Sequence, residues 1–76
     1  MHFKFKRHQP VIVKLAPNPE YVEYHEDAPQ IPIKPGMKGK INLIMSNSEY
    51  HVEIFDDAGN VLAYALMHEE ELEAAE

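Results

Sequence analysis

The segment YHVEIFDDAGNVLAYAL, Tyr50 to Leu66, decides the fold because it holds two alternating runs on either side of a turn. In the first run Tyr50, Val52 and Ile54 recur with a period of two, which is typical of a half-buried strand. The DDAGN that follows is rich in turn formers, and Gly59 can take the positive φ of a type I turn with a bulge. We therefore predict a β-hairpin whose return strand is VLAYALM.

Further strands are predicted on both sides of this hairpin. GMKGKINLIMS alternates so that Ile41, Leu43 and Met45 share one face of a strand. Downstream, HEEELEAAE predicts a short helical turn, because acidic residues at a helix start suit the helix dipole. Leu72 is the apolar anchor of this turn.

The N-terminal part of the chain also alternates. VIVKL places Val11, Val13 and Leu15 on one face of a strand. HFKFKR alternates in the same way, so residues 1–10 are predicted as an N-terminal strand extension. Pro10 should interrupt it, because proline lacks the N–H that a central strand donates.

A proline-rich loop, residues 17–35, separates these strands and contains five prolines. Proline disfavours a long helix, so the loop should be extended, with at most an irregular strand or turn around YVEYH. A loop of this length inside a small domain is often functional. The alternative is that it only covers one end of the sheet.

These elements predict a single mostly β domain spanning residues 1–76. The expected fold is a small SH3-like antiparallel barrel of about five strands, with a long first loop and a short C-terminal helical turn. A chain of this size buries only about 60% of its unfolded surface, which leaves little room for a catalytic pocket beside the core. We expect no enzymatic activity.

The segments GMKGKI and YHVEIFDDAGNVLAYALMHEEEL show a glycine-x-x-glycine start to a strand, an acidic-glycine hairpin and a final acidic segment with a leucine. With these motifs the chain resembles the bacterial domain-of-unknown-function 4926 family over about residues 32–72. The matching positions are Gly36, Gly39, Tyr50, Val52, Glu53, Asp57, Gly59, Ala63 and Leu72. The resemblance implies a small SH3-like barrel. It also implies a binding role, since some family members look like neutralising partners of a neighbouring protein.

Neither a metal site nor a catalytic group is predicted. The five histidines lack the spacing that converging metal ligands require, so no metal or other cofactor is expected. Asp56 and Asp57 lie in the predicted turn, where aspartate bonds to the backbone. Without cysteine, a signal peptide or an apolar run of roughly 18 residues, the chain is expected in the cytoplasm and away from membranes.

The predicted function is the binding of another protein. Tyrosines suit interfaces because each ring has a large contact area and a polar tip. The candidate surface combines the proline-rich loop with the outward face of the strand that starts at Tyr50, and its residues are Tyr21, Tyr24, Ile31, Ile33, His51, Glu53 and Phe55. In a more specific version, the chain is a neutralising or inhibitory partner whose acidic C-terminal half mimics a nucleic acid, with Glu69, Glu70 and Glu71 in contact.

Two alternatives remain open. All seven lysines and arginines lie within residues 1–40, whereas residues 41–76 contain nine acidic residues. The net charge of −6 argues against nucleic-acid binding, which needs several basic side chains on phosphates, but a local basic face keeps it open. That face would contain Lys4, Lys6, Arg7, Lys38 and Lys40. The second alternative is a purely structural homodimer that pairs through Phe3 and Phe5.

Overall fold

A computed structural model describes residues 4–46 and 48–75. These residues form six strands and two single-turn 3-10 helices. The strands are β1 (Pro10–Val13), β2 (Val22–Tyr24), β3 (Lys38–Ile44), β4 (Glu49–Phe55), β5 (Val61–His68) and β6 (Leu72–Ala74), and the 3-10 helices are Pro19–Tyr21 and Glu69–Glu71. All strands are antiparallel and belong to one sheet with the order β2-β5-β4-β3-β1-β6. The predicted mostly β, antiparallel and barrel-like fold is confirmed.

The sheet has six strands because two short ones, β2 and β6, form within segments that were predicted mainly as a loop and as a helical turn. In the proline-rich loop, YVEYH forms β2, which pairs with β5 at one edge of the sheet. After β5, the 3-10 helix Glu69–Glu71 confirms the predicted helical turn, and β6 then pairs with β1. Leu72 lies opposite Val13 and is buried, as its expected anchoring role requires.

The hairpin between β4 and β5 forms as predicted. Gly59 has a φ of 85° and donates its N–H to the carbonyl of Asp56 at 3.0 Å. The Asp56 carboxylate accepts the backbone N–H groups of Ala58 and Asn60, each at 2.9 Å. Asp56 is therefore a structural turn residue, and the register irregularity beside Phe55 is the bulge that such a turn produces.

The face prediction for β3 is wrong beyond Ile41. Ile41 is buried, but the register of β3 against β4 shifts between Ile41 and Leu43. An irregularity of this kind reverses which side chains point inward. Ile44 consequently packs against the core, whereas Leu43 and Met45 are exposed.

The predicted N-terminal strand extension is also wrong for the described residues 4–9, which form turns. Gln9 donates its N–H to the Lys6 carbonyl at 3.1 Å, and His8 has a φ of 70°, so the chain reverses before the sheet. Pro10 begins β1 instead of interrupting a strand, a position where its missing N–H is tolerated. At the other end of β1, Leu15 lies beyond the strand and is exposed.

The buried core includes residues from every strand except β2, whose Val22 and Tyr24 are partly buried and pack against it. Its large side chains come from β1, β3, β4, β5 and β6 and from the N-terminal turns; the fully buried ones are Phe5, Val11, Val13, Ile41, Tyr50, Val52, Ile54, Leu62, Met67 and Leu72. The strands pack closely at Gly39, where a Cβ would stand 2.7 Å from the carbonyl oxygen of Glu53. Within the described ranges, no helix is long and apolar enough to cross a membrane.

Candidate functional site

A groove of about 620 Å³ crosses the outer face of the sheet. It runs from the first 3-10 helix and β2, over β5 and β4, to β3. Its lining residues are Glu20, Tyr21, Val22, Glu23, Asn42, His51, Tyr64 and Leu66. We call this feature the outer groove. It combines aromatic side chains with polar and acidic ones.

The first 3-10 helix places Tyr21 at the rim of the outer groove. Asn18 caps this helix, since its side-chain oxygen accepts the N–H of Glu20 at 3.0 Å. Pro19 occupies the start, where its fixed φ suits a helical turn and its missing N–H costs nothing. The N–H of Tyr21 then bonds to the Asn18 carbonyl at 2.9 Å. The turn is thus held by its own backbone while the Tyr21 side chain remains 55% exposed.

The floor of the outer groove is a stacked pair of rings. His51 on β4 and Tyr64 on β5 lie nearly parallel, with centroids 5.6 Å apart and an interplanar angle of 19°. Asn42 holds the imidazole from the β3 side, with its Nδ2 3.0 Å from the His51 Nδ1. Both rings are partly buried. The stack and the amide fix the orientation of His51, so the floor is preorganised.

Glu20 and Glu23 line the outer groove on its β2 side, and we call this pair the β2 wall. The strand register aligns Glu23, Tyr64 and Glu53 in one row across β2, β5 and β4. Lys40 on β3 continues the row, and its Nζ lies 3.8 Å from the Glu53 carboxylate. The two ion pairs found among the described residues include neither Glu20 nor Glu23. The charge of Glu53 is therefore compensated, whereas the β2 wall keeps its negative charge.

The four predicted loop residues lie in four different environments. Tyr21 lines the outer groove, as described. Tyr24 is partly buried against the core, and its hydroxyl donates a hydrogen bond to the Ile31 carbonyl at 2.7 Å. Ile31 is exposed. Ile33 is only 8% exposed and belongs to the core, so its prediction as a surface residue is wrong.

Ile33 is part of the core because the proline-rich loop folds back over the sheet beside β2. Pro17 at its other end is buried as well. One segment of the loop therefore covers part of the core, as the covering alternative predicted, whereas another segment leaves Tyr21 exposed.

The three strand residues of the predicted surface do not share one site either. His51 lies in the outer groove with Tyr21. Glu53 lies in the row of Tyr64, but it pairs with Lys40 and is not among the residues that line the outer groove. Phe55 lines a separate hollow of about 300 Å³ at the hairpin turn, together with Lys38. The structure thus brings together Tyr21 and His51, and it places Phe55 elsewhere.

Sequence reasoning missed Tyr64, Leu66 and Asn42 as groove residues. A usable signal exists in β5, where Ala63 and Ala65 alternate with Tyr64 and Leu66. The alanines face inward at a close-packed part of the core, so the larger side chains between them point outward. No signal in the sequence shows that Asn42 meets His51, because this contact depends on the register of β3 against β4.

The basic residues of the alternative surface lie mainly at the β1 and β3 side of the sheet. Lys38 and Lys40 are opposite Ile12 and Pro10 of β1. Arg7 donates from its Nε to the Asn42 carbonyl at 3.3 Å. Lys4 lies with its Nζ 5.5 Å from the centre of the Phe5 ring, and Lys6 is exposed in the N-terminal turn.

The acidic C-terminal segment is engaged in its own helical turn. The Glu71 carboxylate accepts the His68 N–H at 2.8 Å, and the His68 Nδ1 accepts the Glu70 N–H at 3.4 Å. This reciprocal arrangement is a capping box. Glu70 is the most exposed of the three glutamates, since Glu69 and Glu71 are partly buried.

Among residues 4–46 and 48–75, no group of three or more His, Asp or Glu side chains could hold a metal ion. In comparisons with known proteins, the chain matches no family model, no curated protein and no solved structure. The resemblance to the domain-of-unknown-function 4926 family therefore stays a prediction from the motifs.

Proposed function

We propose that the chain is a non-catalytic protein-binding module and that the outer groove is its contact surface. The observation that carries the proposal is the position of Tyr21. Its side chain is 55% exposed on a capped turn, at the rim of a groove whose floor is the His51–Tyr64 stack. A large exposed aromatic beside preorganised rings is costly to leave in water and is typical of interface anchors.

The composition of the outer groove favours a protein partner. Interface centres are rich in tyrosine and other large side chains, and their rims are polar. Here Tyr21, Tyr64 and Leu66 supply the apolar surface, while Glu20 and Asn42 lie at opposite sides. The groove crosses four strands, and three strand spacings of about 4.8 Å make it about 14 Å long. An extended peptide spans about 3.3 Å per residue, so about four residues would cover this length.

Selection from a library of short random peptides displayed on phage tests the proposal. Selected peptides should bind the wild-type chain, and Tyr21→Ala should weaken their binding at least about tenfold, as truncation of an interface anchor does. Leu15→Ala is the matched control, because Leu15 is 54% exposed and does not line the outer groove. Equal binding by wild type and Tyr21→Ala would refute the outer groove as the contact surface.

The more specific version, a neutralising or inhibitory partner, rests on the family resemblance and on the acidic C-terminal segment. The side chain of Glu70 is 82% exposed and is available for a basic partner site. Changing Glu70 to Gln should weaken binding to such a partner, and unchanged binding would remove this version. For the cellular location we propose the cytoplasm, which suits a chain that has no cysteine.

Nucleic-acid binding is the second candidate, favoured by the placement of Lys38, Lys40 and Arg7 on neighbouring segments at one side of the sheet. Titration of a labelled DNA duplex at several salt concentrations tests it. Each phosphate contact should contribute a slope of about −0.9 to the logarithm of affinity against the logarithm of salt. Affinity that does not change with salt would exclude this candidate.

A further inference from the structure

The charges around the outer groove are arranged asymmetrically. Its β2 wall carries Glu20 and Glu23, which belong to neither ion pair found among the described residues. Its β3 side has positive charge nearby, from Lys40 and from the Arg7 side chain on the Asn42 carbonyl. A charged partner group that enters the groove therefore meets negative charge at the β2 side and positive charge at the β3 side.

On the premise of the proposed function, we propose that the outer groove recognises an arginine side chain on an extended segment of the partner protein. The arginine lies at the β2 side, against Glu23 and the Tyr64 ring. In the strand register Glu23 is directly opposite Tyr64, so a carboxylate and an aromatic ring are adjacent on the outer face. A planar guanidinium pairs with carboxylates and stacks on aromatic rings, and arginine does both better than lysine.

The positive charges at the β3 side do not cancel this attraction. Lys40 is three strands away from Glu23 in the sheet, which corresponds to about 14 Å at the usual strand spacing. Exposed charges at that distance are largely screened at physiological salt, where the Debye length is about 8 Å. Lys40 is also paired with Glu53. A cation at the β2 side therefore responds mainly to Glu20 and Glu23.

The test uses the peptides selected on the full chain and compares their arginine with citrulline, which has the same shape without the charge. Replacing arginine by citrulline should weaken binding to the wild-type chain about tenfold, the combined loss of a charged pair and a cation–aromatic contact. The variant Glu20→Gln with Glu23→Gln should weaken binding of the arginine peptide by a smaller factor, because it removes the charged pair and keeps the Tyr64 ring. On this variant the citrulline replacement should weaken binding less than it does on wild type, because only the cation–aromatic contact remains to be lost.

The matched control is the variant Glu26→Gln with Asp27→Asn. It removes the same number of charges from exposed positions of the proline-rich loop outside the outer groove. We expect it to bind the arginine peptide within about twofold of wild type, because neither side chain lines the outer groove and exposed charges are screened by salt. If it weakens binding as much as the groove variant does, overall charge is responsible and the arginine site is refuted.

The outcomes separate the inference from the proposed function. Peptides that depend on Tyr21 but contain no arginine, or that tolerate citrulline, overturn the arginine site and leave the binding module standing. Failure to select any peptide whose binding depends on Tyr21 overturns both. Tyr64→Leu is a second groove variant that keeps apolar bulk while it removes the ring, and circular dichroism confirms that each variant is folded.

Discussion

The backbone N–H of Phe5 donates a hydrogen bond to the hydroxyl of Tyr50 at 3.2 Å, and the two rings meet edge to face with centroids 5.4 Å apart. Both side chains are buried, so the N-terminal turns are part of the core. Edge-to-face pairs stabilise a core by about 0.5–1.5 kcal/mol beyond the area they bury. Within the described residues 4–9, the predicted strand extension therefore contributes Phe5 to the core.

Tyr50→Phe should lower the free energy of unfolding by about 1–3 kcal/mol, because the buried N–H of Phe5 loses its acceptor. Thermal unfolding measures this change, with the midpoint falling by about 4–8 °C for each kcal/mol in a domain of this size. Tyr21→Phe is the control, since its hydroxyl lies on an exposed side chain and its loss should change stability by less than about 0.5 kcal/mol. Equal midpoints for Tyr50→Phe and wild type would contradict the hydrogen bond.

Phe5→Ala should destabilise the chain by about 3–5 kcal/mol, as the loss of a buried phenylalanine usually does. Urea unfolding measures the effect, and Phe5→Leu should lie between the variant and wild type because it leaves a smaller cavity. The result also bears on the proposed homodimer through Phe3 and Phe5. Phe5 is 1% exposed within one chain, so its ring is not on a surface, and Phe3 lies outside the described residues.

The homodimer proposal is best tested on the full chain, because removal of residues 1–8 would also remove Phe5 from the core. Sedimentation at increasing concentration should show association if the proposal holds. A constant monomer mass across concentrations would exclude it.

The hairpin and the fold class were predictable from the sequence because they depend on local signals. The turn chemistry of Asp56 and Gly59 and the alternation along β4 act over a few residues. The bulge in β3 was not predictable, since it arises from the pairing of β3 with β4 and reverses the faces of Leu43 and Met45. The outer groove was predicted only in part. Tyr21 and His51 were expected on one surface and share the groove, whereas Asn42, Tyr64 and Leu66 were not expected there, because their positions depend on how the strands pair.

Tyr24→Phe should loosen the proline-rich loop more than it destabilises the domain. The Tyr24 hydroxyl donates to the Ile31 carbonyl at 2.7 Å, across a segment that has few other backbone bonds to the sheet. Because this contact is exposed, water can replace it, and the cost in global stability should be about 1 kcal/mol or less. Amide hydrogen exchange should be faster around residues 25–33 and unchanged in β3 and β4. Unchanged exchange in the loop would show that packing of Ile33 alone holds it.

Gly39→Ala should destabilise the chain by about 1–3 kcal/mol, the usual cost of overpacking. A Cβ at this position would stand 2.7 Å from the Glu53 carbonyl oxygen, and backbone cannot move aside as a flexible side chain can. The strands β3 and β4 would have to separate at the centre of the sheet. Thermal unfolding should show this loss, whereas Ala58→Ser in the exposed turn should leave the midpoint nearly unchanged. A stable Gly39→Ala variant would mean that β3 and β4 are further apart than described.

Glu71→Gln and Glu70→Gln should have different effects although they remove the same charge from neighbouring positions. The Glu71 carboxylate accepts the His68 N–H at 2.8 Å and closes the turn that directs the chain from β5 into β6. Glutamine keeps an acceptor oxygen but loses the charge that strengthens this bond, so stability should fall by about 0.5–1 kcal/mol, and Glu71→Ala should lose about 0.5–2 kcal/mol. Glu70→Gln should leave unfolding unchanged, because its side chain is 82% exposed.

Loss of partner binding in Glu70→Gln can then be assigned to its charge, whereas the same loss in Glu71→Gln alone would reflect a weakened turn. Equal unfolding midpoints for Glu71→Ala and Glu70→Ala would show that the capping box does not stabilise the fold.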